Sequence, residues 1–158
     1  MISGLTGKGF RVGSIKHIHH PDFRMDREGT NTWRHARAGS RIVVALARTE
    51  IAVILKDNPE EMLDPVLDFM KAQGIDVVVV EGLHSSLGRR PEVLKIVAAH
   101  DSEDLRQRLH DTAPPVLAVS GIIANKETRL PGMDMPIVDP KTDCPKLVEL
   151  VIEALVRT

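Results

Sequence analysis

Apolar residues fall along this chain in short β-branched runs separated by polar turns, and the clearest run is Asp76-Val-Val-Val-Val-Glu81. A continuous run of this kind predicts a strand buried on both faces, as in a parallel sheet covered by helices. Before it, Leu63, Val66, Leu67 and Met70 recur at helical spacing within Glu60 to Ala72. Gly74 then stands where a helix C-cap glycine is expected. Helix, glycine and buried strand together make half of a βαβ unit.

Further strands are predicted at Arg11–Lys16, Ile42–Ala47, Ile51–Leu55, Val93–Ala98 and Val116–Ser120, with a short one at Pro136–Val138. The two middle segments are separated only by Arg48-Thr49-Glu50, which predicts a hairpin. A last helix is expected from about Pro145 to Val156, with an apolar stripe of Leu147, Leu150, Val151, Ala154 and Leu155, and Asp143 as its N-cap. Ile2 to Gly9 reads as the tail of a helix stopped by Gly7 and Gly9 and leading straight into a strand. With no repeat, low-complexity tract or linker, the expectation is a single α/β domain over residues 1–158 with a mixed sheet.

Composition narrows the picture. A chain of 158 residues with 42% hydrophobic content supports one real core, built without tyrosine and with 3% aromatics. The 21 basic and 22 acidic residues give a net charge of -1, which argues against a general nucleic-acid surface and makes any anion site local. The one cysteine, Cys144, excludes an internal disulfide framework and a cysteine zinc cluster. No signal peptide or bilayer-length apolar run is evident, so the chain is expected to be cytoplasmic, with no membrane partner.

Candidate chemistry concentrates between Lys16 and Gly39. Lys16-His17-Ile18-His19-His20 follows directly on a predicted strand, and ligands of open α/β sheets bind beyond the carboxyl ends of strands. The stretch continues through Asp22, Arg24, Asp26, Arg27, Glu28 and Gly29 into a helix carrying Trp33, Arg34, His35 and Arg37. Arginine forks, lysine and backbone amides suit phosphate oxygens, and an aspartate can hold a hydrated Mg²⁺. A solvated polar loop and helix face is the plainer reading of the same residues. Zinc held by His17, His19, His20 and His35 is a further alternative, although their spacing matches no familiar closed site. Glu81-Gly82 ends the strongest strand, the place where P-loop proteins carry a Walker B carboxylate for Mg²⁺ or water. Asp76, at the other end, reads as a strand-start residue.

Two short strings are set aside. Gly4-Leu-Thr-Gly7-Lys8-Gly9 has too short a spacing for a Walker A loop, and glycine follows its lysine; a helix stop explains it better. Asn125-Lys126-Glu127 is similar to the Asn-Lys-x-Asp element by which many GTPases read guanine, but Thr128 stands in the acidic position, so it reads as a loop.

The string Val-Gly-Ser-Ile-Lys-His-Ile-His-His, then Met25-Asp26, Gly29, Thr32-Trp33-Arg34-His35 and Ala38-Gly39, resembles the molybdopterin-guanine dinucleotide biosynthesis protein B (MobB) family. Val80-Glu81-Gly82, Lys95-Ile96-Val97 and Pro136-Ile-Val-Asp139 also fit its pattern, so the resemblance covers nearly the whole chain. It implies a P-loop NTPase-like, three-layer α/β fold with a mostly parallel sheet, binding GTP with Mg²⁺. It further implies assistance to the guanylyltransferase that joins GMP to molybdopterin, a homodimer, and slow GTP hydrolysis at most. By position, Lys16, His17, His19, His20 and Asp26 would lie around phosphates, metal or the pterin-bearing partner. Gly29, Trp33, Arg34 and His35 would shape the same pocket, and Glu81 with Gly82 would be the Walker B end, with Glu81 and Asp26 as metal ligands and Glu81 as the catalytic group. Arg24 and Asn31 stand where family members often carry aspartate.

The family begins with a strand and a Gly-x-x-x-x-Gly-Lys-Ser/Thr loop, and Met1 corresponds to a point inside the helix after them. The expectation is therefore an N-terminally truncated fold in which Met1 is an internal methionine. Other function classes stay open: a pterin- or partner-binding module without nucleotide turnover, and a P-loop kinase-like phosphotransferase.

Overall fold

The computed structural model describes residues 1–127, 130 and 132–157. The chain divides into two compact units, one made of Met1–His17 with Gly74–Thr158 and the other of Ile18–Gln73.

In the first unit, helix α1 (Ile2–Gly7) leads into strand β1 (Val12–Lys16). Strand β4 (Val77–Glu81) runs parallel to β1 in the register Val12 to Val77 through Lys16 to Glu81. The short helix α4 (His84–Leu87), strand β5 (Lys95–Ala98), helix α5 (Ser102–His110), strand β6 (Val116–Ser120) and helix α6 (Cys144–Val156) complete the unit. Strands β5 and β6 are also parallel. Leu5 of α1 and Val148 and Val151 of α6 form one core, against which Val12, Val77, Val79, Ile96 and Leu117 pack. Gly4 permits that approach, since a Cβ there would lie 2.6 Å from Cγ2 of Val148. A second core joins Val97, Leu105, Val119 and Ile123.

The start of this sheet is held by a reciprocal clasp. The Asp76 amide donates to the Arg11 carbonyl at 2.8 Å. The Asp76 carboxylate accepts from the Arg11 amide at 2.8 Å and from its guanidinium at 2.8 and 3.2 Å. Asp76 is thus the strand-start residue that its position predicted.

In the second unit, helix α2 (Asn31–Arg37) is followed by an antiparallel hairpin of β2 (Ile42–Leu46) and β3 (Ile51–Leu55), then helix α3 (Leu63–Ala72). The predicted hairpin is present. Helix α3 begins three residues later than its periodicity suggested, because Asn58 accepts from the Glu60 amide at 3.2 Å and holds that segment in a turn.

Among the described residues, parallel and antiparallel pairs are both present, as three two-stranded sheets. Strand β4 is accordingly half-buried along Val77–Val80, where its β-branched run predicted burial on both faces. The reason is local: among the described residues β4 has a strand partner on one edge only. Pro136–Val138 makes an isolated bridge to Val119 in place of a full strand. Asp143 precedes α6 but its side chain makes no capping bond; its amide is instead drawn to the Asp139 carbonyl at 2.8 Å. Among the described residues, no helix is long and apolar enough to cross a membrane.

Candidate functional site

Parallel pairing puts the carboxyl ends of β1 and β4 side by side. Lys16 and Glu81 face one another in the register, and the Lys16 ammonium pairs with the Glu81 carboxylate. Both side chains are exposed, so the pair sits at the rim. The next residue, His17, donates its amide to the Glu81 carbonyl at 2.9 Å, which extends the pairing by one step. Gly82 has φ +88°, and a Cβ on it would lie 2.8 Å from the Cβ of His17. The following residue, Leu83, is also left-handed at φ +57°. A branched, buried residue occupies that region rarely and at a cost of about 1–3 kcal/mol. Two consecutive left-handed residues turn the chain sharply out of β4 into α4, and the Leu83 carbonyl accepts from the Leu87 amide at 2.9 Å.

Behind this turn lies a cavity of about 340 Å³. Val78, Val80, Glu81, Gly82 and His84 line it from the β4 side, and Lys95 to Ala98 from β5, with Arg108 and Thr112 adding polar groups. Each of these two strands is paired on one edge only among the described residues. Lys95 is buried here; its ammonium donates to the Arg90 carbonyl at 2.6 Å and toward the Pro114 carbonyl at 3.4 Å. Burial pushes its pKa down, and the charge of Glu92 partly offsets this. His84 and Lys95 were not singled out as site residues from the sequence. A histidine two residues beyond Gly82, and a lysine inside an apolar strand, were the signals available.

The rest of the predicted stretch belongs to the second unit. Asp26 organises it: Oδ1 accepts from the Thr32 hydroxyl at 2.9 Å and lies 3.0 Å from the Thr30 hydroxyl. Thr30 is the N-cap of α2, and its side chain accepts from the Trp33 amide at 3.3 Å. Oδ2 of Asp26 is buried and has no hydrogen-bond partner among the described residues. A buried carboxylate oxygen left in that state is costly unless a cation or donor meets it. Gly29 is left-handed at φ +88°, in open space. Trp33 is half-buried, and the Arg37 guanidinium sits 5.4 Å from its ring centroid. Arg34, His35, His19 and His20 are exposed, and His17 is half-buried.

Lys16, His17, Glu81 and Gly82 are therefore brought together in the first unit, and Asp26, Gly29 and Trp33 are ordered within the second. Among the described residues no group of three or more His, Cys, Asp or Glu is placed to hold a metal, so the zinc alternative through His17, His19, His20 and His35 finds no cluster. Gly4 to Gly9 is the end of α1, as its spacing indicated. Asn125 ends a 3₁₀ turn (Ile122–Asn125), and the Glu127 carboxylate accepts from the Ser102 hydroxyl at 2.9 Å. Thr128 lies outside the described residues.

The sequence model for the family described as "MobB: Molybdopterin guanine dinucleotide synthesis protein B" matches residues 1–119. The chain is 31% identical over 114 residues to the molybdopterin-guanine dinucleotide biosynthesis adapter protein of Escherichia coli K12, covering 66% of this chain and 61% of that one. It is 36% identical over 83 residues to the protein of the same name from Haemophilus influenzae, covering 52% and 46%. The matches thus span less than two thirds of the length of these relatives. Among solved structures, the chain is similar to Bacillus subtilis MobB (TM-score 0.70, 19% identity, 96% of this chain and 84% of that one). It is also similar to a MobB homologue from Bacillus stearothermophilus (TM-score 0.67, 19% identity, 99% and 86%). At these identities the likeness is one of fold, and it agrees with the P-loop NTPase-like α/β class expected from the sequence.

Proposed function

Because the chain belongs to the MobB family, we propose that it acts in molybdenum-cofactor biosynthesis as a GTP-binding accessory protein that assists the guanylyltransferase acting on molybdopterin. The observation that supports this reading best is the in-register pairing of Lys16 and Glu81 at the carboxyl ends of two parallel strands. A cation and a carboxylate at that address suit a phosphate chain accompanied by a divalent ion.

Mg²⁺ supplies charge neutralisation for the phosphates of a bound nucleotide. The chemistry of the residues fits it: within its own unit Asp26 offers a hard oxygen donor, and its Oδ2 is buried with no hydrogen-bond partner among the described residues; Glu81, in the other unit, is a carboxylate at a strand end. Glu81 starts out neutralised by Lys16. With a nucleotide bound, the Lys16 ammonium would pair with a phosphate oxygen, and the Glu81 carboxylate would be free to hold a hydrated cation or to accept a proton from water. His17, His19, His20, Arg34 and His35 offer further donors to anions, and Gly29 and Trp33 shape the segment that carries them. The resemblance implies that GTP hydrolysis is at most slow.

The strand and phosphate loop that the resemblance implies before Met1 would find a place in this reading. A strand added along the second edge of β4 or β5 would enter the cavity that both line. A homodimer is also part of the reading.

The test is calorimetric titration of GTP with Mg²⁺ into the chain beginning at Met1 and into a version extended upstream of it. Binding by the extended form, weakened by chelating Mg²⁺, is expected. If neither form binds GTP the reading fails, and tight pterin binding by the short form would favour a nucleotide-free binding module instead.

A further inference from the structure

We propose that Lys95 is the positioning residue of the turn that carries Glu81 and Gly82. Its buried ammonium, acting through the Arg90 carbonyl and the end of α4, holds Leu83 left-handed and so fixes the course of the chain as it leaves β4. Leu83 is where such a device is needed. It is bulky, buried and at φ +57°, a combination that persists only where the surroundings over-determine it. Helix α4 spans only His84–Leu87, too short to stand on its own hydrogen bonds.

The bonds run in one chain from that turn to Lys95. The Leu83 carbonyl accepts from the Ser86 and Leu87 amides at 3.1 and 2.9 Å. The Leu87 carbonyl accepts from the Arg90 amide at 3.1 Å, and the Ser86 carbonyl accepts from Arg90 Nε at 3.1 Å. The Arg90 carbonyl then accepts from Lys95 Nζ at 2.6 Å. Lys95 is the first residue of β5, and its amide donates to the Pro115 carbonyl at 3.2 Å, so the ammonium is delivered from a strand held by β6. A second tether, from the Ala113 amide to the Gly88 carbonyl at 2.8 Å, ties the same end of α4 to the segment before β6. A cation complements the carbonyls at a helix end, and an ionised donor makes the stronger bond.

An ammonium in the wall of a cavity carries a desolvation cost that an apolar side chain of the same length would avoid. What the charge supplies is position. Among the described residues β4 and β5 share no ladder bonds, and the cavity between them leaves the turn after β4 without a strand neighbour on that side. Lys95 bridges that gap.

This inference rests on the reading that Glu81 and Gly82 belong to the nucleotide site, and its test separates the two. In NMR spectra of the full chain without nucleotide, the positive φ of Leu83 should give an intraresidue amide–Hα cross-peak stronger than those of residues with negative φ. Lys95→Met keeps the length and removes the donor, and should bring that cross-peak down to the level of its neighbours in α4. Val148→Ala, which weakens the core between α1 and α6, should leave it unchanged, so a general loss of stability does not imitate the effect. A Leu83 cross-peak that stays strong in Lys95→Met overturns the proposal. If that variant does not fold, the wild type decides: scalar coupling across the hydrogen bond from Lys95 Nζ to the Arg90 carbonyl carbon supports the relay, and its absence overturns it. In the upstream-extended protein, Lys95→Met should bind GTP with Mg²⁺ about tenfold more weakly; unchanged affinity beside a relaxed Leu83 overturns the role of Lys95 in the site. A wild type that binds no GTP ends the nucleotide reading, while the Leu83 signal still decides whether Lys95 holds the turn.

Discussion

Lys16 and Glu81 are joined twice, once as facing residues in the parallel register of β1 and β4 and once through the ion pair of their side chains. The first link is backbone geometry and does not depend on either side chain. The second is an exposed contact that screening by solvent and salt makes weak.

Removing it separates stability from function. Lys16→Met should leave the melting temperature within ~3 °C of wild type, since exposed ion pairs contribute little. GTP affinity should fall at least tenfold in the upstream-extended protein, because a cation facing phosphate is lost. A melt and a titration on the same preparation check this; unchanged affinity would remove Lys16 from the site.

Gly82 and Gly29 share a left-handed backbone but differ in surroundings. A Cβ at Gly82 would lie 2.8 Å from the Cβ of His17, whereas at Gly29 it meets nothing within 4 Å. Gly29→Ala should cost about 1 kcal/mol from backbone strain alone. Gly82→Ala should cost about 2–3 kcal/mol, because β1 and the turn after β4 must also part. Urea denaturation of both variants tests the order.

Asp26→Asn retains an oxygen acceptor for Thr30 and Thr32 and replaces Oδ2, which is buried with no hydrogen-bond partner among the described residues, by an amide nitrogen. Thermal stability should change little. If Asp26 holds the cation, the Mg²⁺ dependence of nucleotide binding should fall by about tenfold or more. Binding that keeps its full Mg²⁺ dependence would assign the metal elsewhere.

Acid stability should depend on the Arg11–Asp76 clasp. Hydrogen bonds from the Arg11 guanidinium, then from its amide, lower the Asp76 pKa from 3.8 to about 2. A carboxylate whose pKa is depressed by folding contributes stability that is intact above the unfolded value and lost as pH falls through the folded one. The advantage of wild type over Asp76→Asn, followed by urea midpoints, should therefore shrink as pH drops from about 3.8 to about 2. Asp57 is lowered by Arg41 and the Asn58 amide, Asp104 by the His100 amide and Arg108, and Asp111 by Arg89 and His110, all in the same direction.

Much of the local structure is written in the sequence. The β-branched run from Val77, the helical spacing before Gly74 and the short turn at Arg48 each specify an element through short-range geometry. Helix α5 escaped because it has only Leu105 and Leu109 as apolar positions. Its start was nevertheless encoded, since Asp101 accepts from the amides of Glu103 and Asp104 at 3.0 Å each, in the manner of an N-cap.

What the sequence by itself determined is which residues could carry chemistry: Lys16 and His17 at one strand end and Glu81-Gly82 at another follow from strand boundaries alone. That these two ends are neighbours was decided by the tertiary pairing of strands more than sixty residues apart, which local periodicity does not encode. The same long-range pairing decided what was left uncovered. Among the described residues, β4 and β5 each found a partner on one edge only, and Ile42, Val44, Leu46, Ile51 and Val53 of the hairpin stay exposed. Side-chain pattern selects the element and the face it turns inward, but hydrogen-bonded neighbours and buried area are set only when the distant segments meet.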